Sequence, residues 1–176
     1  MNTYYHGSPH LFNTFDYSRI RTHGTSEGVG FYFTDNERIA RAYGENGYLY
    51  TVRIKQTKPL SDTQKTLCRD ELEHFLRILH HTPGIDMLSN YGDCTYENFE
   101  TILARAVENE YDYTDTDTEI IGSIYNACGE NPDVLIQLYE QLGYDHITTK
   151  PLWGGDQKII VALSPKTIEI IDVLPL

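Results

Sequence analysis

Apolar and polar positions alternate with two different periods along this chain, and the order of those periods predicts strands, then helices, then strands. Thr3-Tyr4-Tyr5-His6 suits a strand, ended by Gly7 and Pro9. Val29 to Thr34, opened by a turn at Gly28-Val29-Gly30, is β-branched and aromatic, as a pleated buried surface favours. Tyr48, Tyr50, Val52 and Ile54 alternate with Leu49, Thr51, Arg53 and Lys55, the period of two expected of a strand that Lys58-Pro59-Leu60 stops. From Ser61 to about Tyr144 the spacing turns helical. Leu67, Leu72, Phe75, Leu76 and Leu79 form one stripe; Tyr96–Val107, Glu119–Cys128 and Asn131–Gly143 carry three more. Residues 143–149, 159–163 and 168–173 then read as strands. Segregated runs of this kind predict an α+β fold with no internal repeat.

Local punctuation predicts where the helices begin. Thr34-Asp35-Asn36-Glu37 fits a capping box, with Thr34 as N-cap of a helix whose Ile39, Ala40 and Tyr43 share a face. Ser61-Asp62-Thr63-Gln64 has the same form, and Gly143 is a C-terminal stop. His10 to Glu27 reads as a loop with room for a helical turn, spaced by Leu11, Phe12, Phe15 and Ile20. Its Arg19 or Arg21 could meet a phosphate or simply stand in solvent.

Charge sharpens the division. Residues 61–148 hold 18 acidic and 4 basic side chains, a net of about −14, while the remainder holds 8 and 10. The 176-residue chain is therefore expected to be a single domain, 1–176, with an acidic helical insertion at about 61–142. The densest run, Glu108 to Glu119, reads as a solvated loop or as a surface for a basic protein. A formal charge of −12 argues against direct nucleic-acid binding, since phosphates would be repelled. No signal peptide or long apolar run is visible, so no membrane partner and a cytoplasmic location are expected. Cys68, Cys94 and Cys128 are scattered and odd in number, as for reduced thiols.

Several chemistries are excluded by spacing. Gly28-Val29-Gly30 precedes a strand and lacks the third glycine of a dinucleotide fingerprint, since position 33 is Phe. A nucleotide-triphosphate loop and a Gly-x-Ser-x-Gly elbow are both missing. His80-His81 with His74, Asp86 or Asp93 lacks a metal-site spacing, and no metal is expected.

What remains is an ordered set. His6-Gly7-Ser8 ends one strand, Gly28-Val29-Gly30-Phe31-Tyr32-Phe33-Thr34 makes another, Tyr43 follows eleven residues after Tyr32, and Asp156-Gln157 precedes a late strand. This set resembles the ADP-ribosyltransferase superfamily, in the branch with a His–Tyr–Glu/Asp/Gln triad that includes diphtheria-like toxins, poly(ADP-ribose) polymerases and small phage and bacterial enzymes. The resemblance covers residues 3–55 and 143–173 and leaves the acidic middle unaccounted for.

The resemblance implies a split antiparallel β core that holds NAD in a cleft. His6 would bond the adenosine ribose, the Gly7 backbone would pair with the carboxamide, and Ser8 would support a ribose hydroxyl. Tyr32 and Tyr43 would sandwich the nicotinamide ring, with Phe33 and Thr34 as neighbouring cofactor-binding positions. Read only as residues, both tyrosines also suit a core, and His6 a structural role. The family usually offers Glu before the late strand. Here Gln157 is the positional match and Asp156 the alternative acid, or both are turn residues. Without that Glu, a single unit of ADP-ribose is the expected transfer. The resemblance thus implies mono-ADP-ribosylation of a protein substrate with a basic surface, such as a nucleic-acid-binding component of a host defence system. The alternatives are a non-catalytic acidic inhibitor of a basic surface, and an NAD glycohydrolase with water as acceptor.

Overall fold

The computed structural model describes residues 3–22, 29–86, 88–149 and 157–176. His23, Gly28, where a turn is expected, and residues 150–156, among them Trp153, Gly154, Gly155 and Asp156, lie outside these residues. Among the described residues, seven strands form one sheet in the order β4-β5-β6-β2-β1-β3-β7. The strands are β1 (Thr3–Ser8), β2 (Phe31–Thr34), β3 (Tyr48–Ile54), β4 (Pro59–Ser61), β5 (His146–Thr148), β6 (Ile159–Ala162) and β7 (Ile168–Pro175). Every neighbouring pair is antiparallel except β4 and β5, which run parallel. The sheet is therefore mixed, with the antiparallel core that the resemblance implies and one parallel pair at its β4 edge. The segment expected to end in a stop at Pro59 instead adds an edge strand there. An edge tolerates proline because its missing N–H leaves no ladder bond unmade.

Five α-helices accompany the sheet among the described residues: α1 (Glu37–Gly44), α2 (Arg69–His80), α3 (Phe99–Asp112), α4 (Asp117–Ala127) and α5 (Pro132–Leu142). The last four occupy the acidic span, and their apolar stripes are buried: Leu72, Phe75, Leu76 and Leu79 on α2, Ile102 and Leu103 on α3, Ile120 and Ile124 on α4, Leu135 and Tyr139 on α5. α5 starts and stops as its sequence predicts. Asn131 caps the Asp133 N–H at 3.2 Å, Pro132 takes the first turn, and Gly143 closes in the left-handed conformation at φ 79°.

Two expected caps are displaced. The N-cap of α1 is Asn36, whose Oδ1 accepts from the Arg38 and Ile39 N–H groups at 3.1 and 3.3 Å. Thr34 is still a strand residue, paired with Tyr5 and Ile159, so its backbone cannot begin a helix. Its hydroxyl accepts from the Asn36 N–H instead. Ser61 is likewise the last residue of β4, and α2 begins only at Arg69, where the Glu71 carboxylate accepts from the Cys68 N–H at 3.1 Å.

The acidic run 108–119 is not a loop. α3 extends through Asp112 and α4 opens at Asp117. Two of its carboxylates turn inward. Glu110 takes the Tyr91 hydroxyl. Asp117, fully buried, accepts the N–H groups of Ser61, Thr66 and Leu67, each at 2.8 Å, together with the Thr66 hydroxyl. One side chain thus ties the chain leaving β4 to the start of α4.

Candidate active site

The seven strands divide into two halves at the join of β1 and β2. β1 pairs with β3 along its whole length, and β2 with β6 along its own, yet β1 meets β2 only at Tyr5 opposite Thr34. Beyond that pair, the His6 side chain bridges the gap. Its Nδ1 lies 2.9 Å from the Tyr32 carbonyl oxygen. A carbonyl can only accept, so Nδ1 carries the proton and donates to it. The first two sequence-predicted site residues are therefore brought together, through one side chain and one main-chain carbonyl.

Aromatic rings wall the imidazole. Phe15, Phe33, Tyr50 and Phe12 lie with ring centroids 5.3, 5.5, 6.1 and 6.2 Å from it. Phe33 comes from β2 and Tyr50 from β3. Phe12 and Phe15 come from the loop after β1, which folds back because the Tyr50 hydroxyl accepts from the Phe12 N–H at 2.6 Å. Phe12 also stacks on Tyr50 at 4.1 Å. The spaced apolar residues of that loop were visible in the sequence; their grouping around His6 was not.

The loop continues into a short 3-10 helix, Tyr17–Thr22, fastened to α5. The Tyr17 hydroxyl donates to Glu140 Oε1 at 2.8 Å, and Ser164 and Lys166 donate to the same carboxylate at 2.5 Å each. Burial pushes the Tyr17 phenol up to about 12. Burial also works to raise Glu140, but hydrogen bonds from Lys166, Ser164 and Tyr17 outweigh it and hold the carboxyl below its usual value. Tyr17 and Glu140 stand 123 residues apart, so no local pattern could pair them. Arg19 is exposed on the same turn.

The two tyrosines differ. Tyr32 is half-buried and packs against the core, whereas Tyr43 is 71% exposed. A core role for Tyr43 is thereby excluded. α1 packs through Ala40 and Gly44 instead of through the expected Ile39–Ala40–Tyr43 face. Gly7 explains the switch. A Cβ on Gly7 would stand 1.8 Å from the Ala40 carbonyl oxygen and 2.4 Å from the Gly44 nitrogen, so helix and strand touch backbone to backbone there. The side-chain position at Gly7 is thus taken up by α1. Behind Tyr32 lies Tyr139 of α5, fully buried; burial first, and then nearness to Tyr32, raise its phenol far above the ordinary value.

The other predicted positions are placed as follows. Ser8 is buried and its Oγ accepts from the His10 N–H at 3.2 Å. Phe33 and Thr34 are buried on β2. Gln157 lies with Asp35, Asn36, Glu37 and Arg38 around a groove at the start of α1. There the Asp35 carboxylate accepts from the Lys158 N–H at 2.9 Å, joining the head of β6 to the head of α1. Asp156 falls outside the described residues. No group of three or more His, Cys, Asp or Glu side chains able to hold a metal occurs among the described residues. His80 and His81 pack instead against the Phe99 ring, at 4.6 and 6.5 Å.

A split sheet with His6 on one lip and Tyr32 on the other is the frame that the sequence motifs imply. The family model described as ADP-ribosyltransferase in polyvalent proteins matches residues 2–172. The chain belongs to this ADP-ribosyltransferase family. The bounds of the match enclose the acidic helices as well as the two ends. No curated protein matches the chain. Among solved structures, it is similar to the crystal structure of an anti-CRISPR protein, at 19% identity and a TM-score of 0.38, over 96% of this chain and 94% of that one. No helix among the described residues is long and apolar enough to cross a membrane.

Proposed function

We propose that this ADP-ribosyltransferase takes NAD as its donor and transfers a single ADP-ribose to a protein. The observation that carries the reading is the His6–Tyr32 hydrogen bond across the split, because it holds the imidazole at the parting of the two halves of the sheet, where the family places the donor ribose. The exposed Tyr43 ring supports the second half of the reading, a face held on a rigid helix against which a nicotinamide ring can stack. Ser8 accepts through its oxygen from His10, which leaves its hydroxyl proton to donate to a ribose. In the transfer the bond from ribose C1′ to nicotinamide nitrogen breaks, nicotinamide leaves neutral with the electron pair, and an acceptor side chain bonds to C1′ as its proton passes to solvent. The positive charge on the ribose is what a carboxylate at the site would stabilise. Gln157 hydrogen-bonds but does not serve as a base, which fits transfer of one unit and no chain growth. Asp156 is the acid that stands nearest in sequence. The net charge of about −14 on residues 61–148 supports a protein acceptor with a basic surface.

The test is intact-mass analysis of candidate basic proteins after incubation with NAD. The expected result is a gain of one ADP-ribose with release of nicotinamide, lost in His6→Ala and Tyr32→Ala. Free nicotinamide without a modified protein would assign the chain as a glycohydrolase. Partner inhibition that persists in both variants would assign it as a binding module.

A further inference from the structure

The loop that walls His6 is held at two points. Tyr50 of β3 holds Phe12, and Glu140 of α5 holds Tyr17. Between them Phe15 is buried against His6, Phe31 and Phe33, with centroids at 5.3, 5.5 and 5.1 Å, and Tyr17 itself tilts on Phe31 at 6.1 Å. The stretch from Pro9 to Asp16 has no helix or strand of its own, so its shape depends on those two fastenings. The Glu140 carboxylate gathers two separate parts of the chain: Tyr17 after the loop, and Ser164 with Lys166 after β6. Lys166 is 78% exposed, and an ion pair of that kind contributes little. The half-buried hydroxyl bonds from Tyr17 and Ser164 to an ionised acceptor are the stronger members.

We propose that Glu140 is a positioning residue for the donor site: through Tyr17 it holds the Phe12–Phe15 wall against His6, so that one helix of the acidic segment shapes NAD binding. This rests on the functional reading above. Glu140 touches no reacting atom. It reduces the number of shapes the loop takes before NAD arrives, which is a binding effect more than a chemical one.

The experiment is steady-state kinetics in NAD together with limited trypsin digestion, on the full chain. Glu140→Ala and Tyr17→Phe are expected to raise KM for NAD about tenfold, the scale of a lost hydrogen bond to a charged group, with kcat within about twofold. Tyr17→Phe removes a single oxygen and serves where Glu140→Ala folds poorly. The double variant is expected to be no worse than Glu140→Ala, since both act through one bond. Lys166→Ala is expected to leave KM in place. Cleavage after Arg19, mapped by mass spectrometry, is expected to be faster in Glu140→Ala than in the wild type. Unchanged KM in both variants, a loss confined to kcat, a Lys166→Ala effect equal to Glu140→Ala, or unchanged cleavage would each overturn the proposal. A wild-type protein that does not turn over NAD would overturn the functional reading instead, while cleavage after Arg19 still reports whether Glu140 holds the loop.

Discussion

Single side chains in this protein do work that their sequence neighbourhood hides. Asp117 sits in a run of acids that looks like solvated surface, yet it is fully buried and accepts three backbone N–H groups and a hydroxyl. Removing it strands those donors away from water. Asp117→Ala is expected to cost about 3 kcal/mol or more, because each buried donor left unmet costs about 1–3. Asp117→Asn keeps an acceptor oxygen and is expected to cost less. Urea unfolding at constant m-value checks both, and an alanine variant as stable as wild type would refute the role. His6 shows the converse. Its place in a His-Gly-Ser motif was legible, but its ring partners were not, since Phe12, Phe15, Phe33 and Tyr50 come from three different parts of the chain.

At the scale of elements, α1 and β1 behave as one unit. The strand sequence, the helix sequence and the eleven-residue interval from Tyr32 to Tyr43 were all readable, because each depends on local spacing. The helix start was misplaced by two residues, because sheet pairing held Thr34 extended. The contrast between two substitutions measures these contributions. Asn36→Ala removes only the cap and is expected to cost about 1 kcal/mol. Gly7→Ala must push the α1 backbone away from a carbonyl 1.8 Å off, so it is expected to cost more and to abolish turnover by moving Tyr43. Thermal melts and NAD turnover distinguish them; a Gly7→Ala protein with wild-type stability would contradict the close packing of helix on strand. β7 shows an element guarding the sheet. Thr51 pairs with Asp172 and Val52 with Ile170, so Ile171 is an extra residue in this edge strand, and such a bulge discourages pairing with other chains.

At the scale of the whole molecule, buried and half-buried carboxylates tie the acidic helices to the sheet, which makes stability depend on pH. Asp145 accepts from the Thr57 N–H at 2.8 Å, from the Thr57 hydroxyl, and from His146 Nδ1 at 2.6 Å. Burial works to raise it, but the bonds from Thr57 and His146 outweigh burial and leave it below 3.8. Glu71 is pulled from 4.5 to about 2, as bonds from the Cys68 N–H and Lys58 overcome its burial. Both folded values are depressed, so the stabilisation is complete above the ordinary carboxylate range and is lost as pH falls through the folded values. The melting temperature is expected to be level between about pH 8 and 5 and to fall below about pH 4. Scanning calorimetry reads this. Acid relieves repulsion among the exposed carboxylates, which works the other way, but salt screens those charges and leaves the buried ones. A melting temperature that held or rose at about pH 3 would reverse the assignment.

The sequence by itself determined the α+β class, the helical nature of the acidic span and the order of the motifs. Those features rest on local periodicity and on residue chemistry, which a chain carries wherever it goes. Tertiary structure alone decided that β1 and β2 part after one pair, that His6 fills the gap, that α1 occupies the space beside Gly7 and leaves Tyr43 outside, and that Glu140 reaches Tyr17. Each of those is a contact between segments far apart in the chain. Their geometry follows from how the two halves of the sheet and the helices bury their apolar faces together, and no stretch of sequence read alone contains it.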